Sequence, residues 1–318
     1  MSSAFGATTQ PNIPLAGYGL PYQTHMGIML PPGGNVVSYV GSVVDGMPEA
    51  IRARLYGTLN QALAQCRSGE QDIVVVLPGH TENFSAADSL SNLVAGTQII
   101  GMGYGNNRPT FTWTAAASTV LINVANVTID NCVLLMAGDG GGTALTVAAP
   151  MTVSAAGFSL LNCRIQTSVD ADELSTIAIT TTAAADDMTI HNCRIHGEGD
   201  GTGVTTAIRL VGADRFTMTD SYVDAYTSST TVGVLQMLTT ASTQVFIKGC
   251  FFANRKASSV HACTGMAGAT GVVADCGFHI LDNATLAGWE TEGSLAFFGC
   301  TTVNAAGEGG AAKTPVSA

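Results

Sequence analysis

"MTIHNCRIH", residues 188–196, decides how this chain is read. Taken alone, His191, Cys193, Arg194 and His196 suggest a metal site or a catalytic cluster. The stretch can be set beside "VTIDNCVLL" (127–135), "FSLLNCRIQ" (158–166), "FTMTDSYVD" (216–224), "VFIKGCFFA" (245–253), "VVADCGFHI" (272–280) and "LAFFGCTTV" (295–303), and it becomes one line of a repeat. A small residue recurs at Cys132, Cys163, Cys193, Ser221, Cys250, Cys276 and Cys300, with spacings of 31, 30, 28, 29, 26 and 24 by subtraction. A period of this size marks stacked units, each burying its apolar face only against its neighbours.

Each unit alternates apolar and polar residues, as at Val127 and Ile129 or Met188 and Ile190, then bends and alternates again. Asn131, Asn162, Asn192, Asp220, Gly249 and Gly299 stand just before the small residue, and these residue types tolerate left-handed backbone angles. Beyond the bend, Leu134, Ile165, Ile195, Val223 and Phe252 take the inward position. No helical period of comparable length runs through the region, and Leu is too sparse for a leucine-rich repeat. The expected fold is all-β: a right-handed parallel β-helix whose coils rise about 4.8 Å each, giving a rod of roughly 40 Å. The cysteines then form an inward ladder of small hydrophobes, with Ser221 substituting in the middle. No Cys-x-x-Cys pair exists, and without an export signal the eight cysteines read as reduced thiols.

Charged residues make up 11% of the chain against about 25% in ordinary soluble domains. A net charge of -11 with only 12 Lys and Arg argues against a nucleic-acid groove. The N-terminus lacks a basic segment leading into an apolar one, and the strongest apolar run, residues 73–77, is far short of the roughly 18 residues that a membrane span needs. A soluble chain made in the cytoplasm is expected, with no nucleic-acid or membrane partner.

Residues 1–45, rich in Gly and Pro, read as an extended N-terminal arm, 46–305 as the solenoid and 306–318 as a flexible tail. Within 48–67, Ile51, Leu55, Leu59, Leu63 and Cys66 stand at near-helical spacing, with Thr58 and Gln61 as a capping box. A helix here would cover the open end of the stack.

Candidate chemistry is sparse. Asp139, Asp170 and Asp200 each lie seven residues beyond the ladder position, with Asp172, Glu173 and Glu198 nearby and Arg194 and Arg209 as potential bases. Stacked at coil spacing, such carboxylates could hold calcium, but all three aspartates sit in Gly- or Ser-rich turns where Asp is common for turn chemistry alone. Asp186 and Asp187 are adjacent, and in an extended segment would face opposite ways. Trp113 and Trp289 are too many coils apart to share a groove, Tyr222 and Tyr226 are the close tyrosine pair, and His80 reads as a turn residue. No catalytic, cofactor-binding or metal-ligating residue is assigned, and no cofactor is expected.

"TLNQALAQC…DIVVVLPGHTENF…TQIIGMGYGNNRPTFTW…NVTIDNC" resembles the start of pectate-lyase-like β-helix proteins encoded by tailed bacteriophages. The resemblance covers residues 57–133, with the later coils matching only as generic solenoid. It implies a phage virion protein. Folds of this kind carry many functions, so the role is argued separately. Low charge, an N-terminal arm and the lack of a particle-binding head domain favour a capsid decoration or cement protein. Such a protein would be a homotrimer on the outer head surface, with the major capsid protein as partner. The runner-up is a tail-associated polysaccharide lyase or hydrolase.

Overall fold

A computed structural model describes residues 36–43, 47, 49–138, 144–169, 172–197, 204–256, 259, 261–280, 288–290, 293–303 and 309–311. The described residues wind into a parallel β-solenoid whose three sheets hold 11, 12 and 7 strands among them, the last counting the complete coils. In each complete coil the chain passes from the first sheet to the second and then to the third. Thr128–Asp130, Ser159–Leu161, Thr189–His191 and Thr217–Thr219 lie in register in the first sheet. Val133–Leu135, Arg164–Ser168, Arg194–Gly197 and Tyr222–Ala225 follow one another in the second. Met151–Val153, Ile177–Thr181, Thr206–Leu210 and Leu235–Met237 do so in the third.

The corner between the first and second sheets is the one visible in the sequence. Asn131, Asn162, Asn192 and Asp220 have φ of 56°, 52°, 50° and 50°, Gly249 and Gly299 have 64° and 62°, and Asp275 joins them at 54°. A left-handed residue here reverses the chain within two positions and delivers the next side chain inward. Cys132, Cys163, Cys193, Ser221, Cys250, Cys276 and Cys300 are all buried there. Their thiols donate to main-chain carbonyls, as Cys193 Sγ does to Leu160 O of the preceding coil at 3.4 Å. Burial pushes the Cys132 thiol up to about 12, so that group stays a thiol. The side chains of the corner also climb the stack: Asn192 Nδ2 donates to Asn162 Oδ1 at 2.8 Å, and Asn162 Nδ2 to Asp130 Oδ1 at 2.7 Å.

A second left-handed column marks the corner before the first sheet, at Gly96, Asn126, Gly157, Asp187, Arg215 and Gln244. Its residue types are too varied to show in the sequence, and it is held by a main-chain ladder such as Gly157 N to Asp186 O and Asp187 N to Asp214 O. Inside, Leu134, Ile165, Ile195, Val223 and Phe252 are buried as expected, in one core running the length of the stack. Each such side chain contributes about 1.5–3 kcal/mol on burial.

The N-terminal expectations change in detail. Val36–Val40, inside the span read as an arm, is a strand paired in parallel with Ile73–Val76 and Leu55–Tyr56. The single helix expected over 48–67 is two short ones, Glu49–Arg52 and Leu59–Leu63, broken by the strand Leu55–Tyr56. A helix of this length is marginal alone, and the free edge of Val36–Val40 offers Leu55 and Tyr56 hydrogen bonds that a helix would forgo. Thr58 caps the second helix, its Oγ1 accepting from Gln61 N at 3.3 Å. Leu59, Ala62 and Leu63 enter the main core, while Ile51 packs with Tyr39, Ile73 and Val75 on the opposite side of the first sheet. Gly309–Ala311, inside the span read as a flexible tail, pairs antiparallel with Thr301–Val303.

Candidate functional site

The most chemically dense surface is the outward face of the second sheet. Two outward columns run along it. In one, Arg164, Arg194, Tyr222, Phe251 and Gly277 occupy successive coils; in the other, Gln166, His196, Asp224, Ala253 and His279 do. Alternation along each strand puts these side chains outward while Ile165, Ile195, Val223 and Phe252 fill the core.

In the first column the Tyr222 and Phe251 rings stack with centroids 5.2 Å apart and planes 7° apart, and the Arg194 guanidinium lies 5.7 Å from the Tyr222 centroid. A Cβ on Gly277 would come within 2.8 Å of the Phe251 ring, so glycine is what lets that ring lie over the next coil. The ring faces are therefore spent on each other, on a cation and on the backbone, leaving edges outward. This is a structural column rather than an open aromatic platform for a sugar.

The second column is largely polar, and its His196 and Asp224 are buried. Arg164 donates from Nε and Nη2 to His196 Nε2 at 3.1 and 2.9 Å, which makes that nitrogen an acceptor and the ring neutral. Asp224, 2% exposed, accepts from the Tyr222 hydroxyl at 3.2 Å and from Arg255. Arg255 also lies over Tyr226, 5.8 Å from its centroid. Burial, and then the Asp224 charge, raise the Tyr222 phenol above its usual range, so it serves Asp224 as a proton donor and is poorly suited to act as a base. Beside this cluster Asn254, fully buried, donates to Val232 O, Ser259 Oγ and His261 O and so ties down the connection toward the third sheet.

The other residues singled out in the sequence scatter. Asp139, Asp170, Asp200 and Glu198 lie outside the described residues. Glu173 is buried with its carboxylate against Gly138, where a Cβ would stand 2.6 Å from Oε2. Arg194 and Arg209, grouped as potential bases, belong to different sheets. His191 is exposed, with Nδ1 2.7 Å from Thr219 Oγ1 and 3.6 Å from Asp220.

Asp186 and Asp187 sit in a turn rather than an extended segment, so both reach Arg215, at 3.3 and 2.6 Å. His80 occupies its turn and pairs with Glu82 at 3.1 Å, and Glu82 accepts from Leu59 N at 2.7 Å, tying the second helix to the second sheet. Trp113 and Trp289 are both core residues. An apolar void of about 10 Å³ beside Leu59, Phe84 and Trp113 has room for at most one water and no polar lining to hold it.

The cluster of Arg164, His196, Tyr222, Asp224 and Arg255 was not assembled from the sequence. The repeat spacing could have found it, because residues two and four places after the corner Asn or Asp share the outward columns.

Among the described residues no group of three or more His, Cys, Asp or Glu side chains could hold a metal ion, and no helix is long and apolar enough to cross a membrane. No family model, curated protein or solved structure matches the chain.

Proposed function

We propose that this chain is a structural protein of a tailed-phage virion, a decoration or cement protein that docks on the major capsid protein at the outer head surface and assembles as a homotrimer. The observation that carries the reading is the outward face of the first sheet. One of its columns, Gln98, Thr128, Ser159, Thr189, Thr217, Phe246, Val272 and Ala296, bears no charge over eight coils. Within it Phe246 is 39% exposed, and in the neighbouring outward column Phe298 is 57% exposed. A hydroxyl-bearing column with an exposed aromatic suits contact with another protein surface, since little charge along it must be desolvated. The resemblance of residues 57–133 to phage β-helix proteins supports the setting.

The test is quantitative mass spectrometry of purified particles. Hundreds of copies per particle are expected. A handful of copies would move the protein to the tail, and its absence from particles would end the virion reading.

A further inference from the structure

Two arginines stand side by side on the outward face of the second sheet. Arg164 and Arg194 are in-register partners on neighbouring coils, and both are exposed. Neither forms an ion pair with a described carboxylate. Each is held instead by a neutral group. Arg164 spends Nε and Nη2 on the neutral His196 ring, and Arg194 lies over the Tyr222 ring, 5.7 Å from its centroid. A neutral partner fixes a guanidinium in place without cancelling its charge. Arg164 Nη1 and the whole Arg194 fork make no hydrogen bond among the described residues.

The nearby carboxylate does not neutralise them. Asp224 is 2% exposed and is taken up by Arg255 and the Tyr222 hydroxyl. Three guanidiniums thus stand against one carboxylate, on a chain whose net charge is -11. His196 shares the strand Arg194–Gly197 with Arg194, so the Arg164 guanidinium reaches the level of that strand. The Arg194 guanidinium reaches one strand further, to Tyr222–Ala225. The two charges are therefore set at levels about 4.8 Å apart along the stack. Like charges so placed repel, and an anion between them replaces the repulsion with two attractions.

We propose that Arg164 and Arg194 together form a binding site for a single phosphate group. A carboxylate has two coplanar oxygens and is filled by one guanidinium fork. A tetrahedral anion turns its oxygens in diverging directions, and so accepts from two guanidiniums at different levels. His196 and Tyr222 act as positioning residues that hold the two cations ready. The negative charge of the rest of the chain repels extended polyanions, so the ligand is a small one: the free ion or a phosphate monoester.

Isothermal titration calorimetry of the full chain with inorganic phosphate tests the site, at low ionic strength where exposed charges are least screened. Saturable binding is expected, with acetate bound more weakly. Loss of a charge-assisted hydrogen bond should weaken phosphate binding by about 10-fold or more in R194Q and in R164Q, with unchanged circular dichroism spectra. R194K, which keeps the charge and loses the fork, should fall between R194Q and the wild type. K248Q, on the first sheet, should bind like the wild type. Methyl phosphate separates the two sources: affinity equal to that of inorganic phosphate assigns the monoester, and its loss assigns the free ion. A wild type without saturable binding, acetate held as tightly as phosphate, R194Q binding like the wild type, or K248Q weakened as much as R194Q overturns the inference. None of these readouts depends on attachment to a virion.

Discussion

Replacing Asn162 probes the corner column directly, because one side chain there does three separable things. It holds φ at +52°, donates to the buried Asp130 at 2.7 Å, and accepts from Asn192 at 2.8 Å. Asn162→Ala keeps none of these. A left-handed alanine costs about 1 kcal/mol, a lost hydrogen bond to a carboxylate about 1.5–3 kcal/mol, and the lost amide pair about 1 kcal/mol. Coupling between neighbours trims such sums, so about 4 kcal/mol is expected. Asn162→Gly loses the same hydrogen bonds without the backbone strain and should cost about 1 kcal/mol less than alanine. The backbone carbonyl of Asn162, which accepts from Arg108 at 2.8 Å, is kept in both variants and cancels in the comparison. Urea denaturation followed by far-ultraviolet circular dichroism, comparing midpoints at constant slope, gives both differences. Equal losses for alanine and glycine would refute the left-handed requirement. Losses below about 0.5 kcal/mol for both would refute the ladder of side-chain hydrogen bonds as a source of stability.

Three further outcomes follow from the same structure. Native protein titrated with a thiol reagent should expose at most Cys66, and that slowly, since its partly buried thiol is pushed up to about 11; all eight should react in denaturant, and rapid native labelling of Cys163 or Cys193 would contradict the inward ladder. Burial raises the Asp130 carboxyl, so its folded-state value lies above its unfolded one and its contribution to stability, present when protonated at low pH, is lost as pH rises through the folded value. Asp130→Asn, which can still accept from Asn162, should therefore be more stable than the wild type at neutral pH, with the gap closing on acidification; a gap that widened there would refute the burial argument. Arg255→Leu leaves the buried Asp224 carboxylate without its cation and should cost about 3 kcal/mol, and adding Asp224→Asn should recover part of the loss; strictly additive losses in the double variant would mean the pair is not coupled.

The sequence by itself determined the solenoid and its first corner. A coil must reverse at the same point in every turn, only a few residue types accept φ near +55°, and the residue that follows must be small enough to fill a tight inner angle. That combination recurs visibly from Asn131-Cys132 to Gly299-Cys300, and Ser221 fits because size matters there more than sulfur. The second corner follows the same backbone rule but is held by main-chain hydrogen bonds, so Asn, Gly, Asp, Arg and Gln all serve and no sequence signal forms.

The polar columns carry no residue signature of their own, although the repeat spacing aligns their members. Arg164, His196, Asp224 and Arg255 meet only because coils stack with a register that places residues some 30 positions apart side by side. The helix expected over 48–67 gave way for a related reason. Local spacing favoured it, but an open strand edge at Val36–Val40 offered Leu55 and Tyr56 better hydrogen bonds. Periodicity within the chain sets which face of each strand turns inward. Only the stacking of coils decides which outward side chains touch, because that depends on register between segments that the sequence keeps far apart.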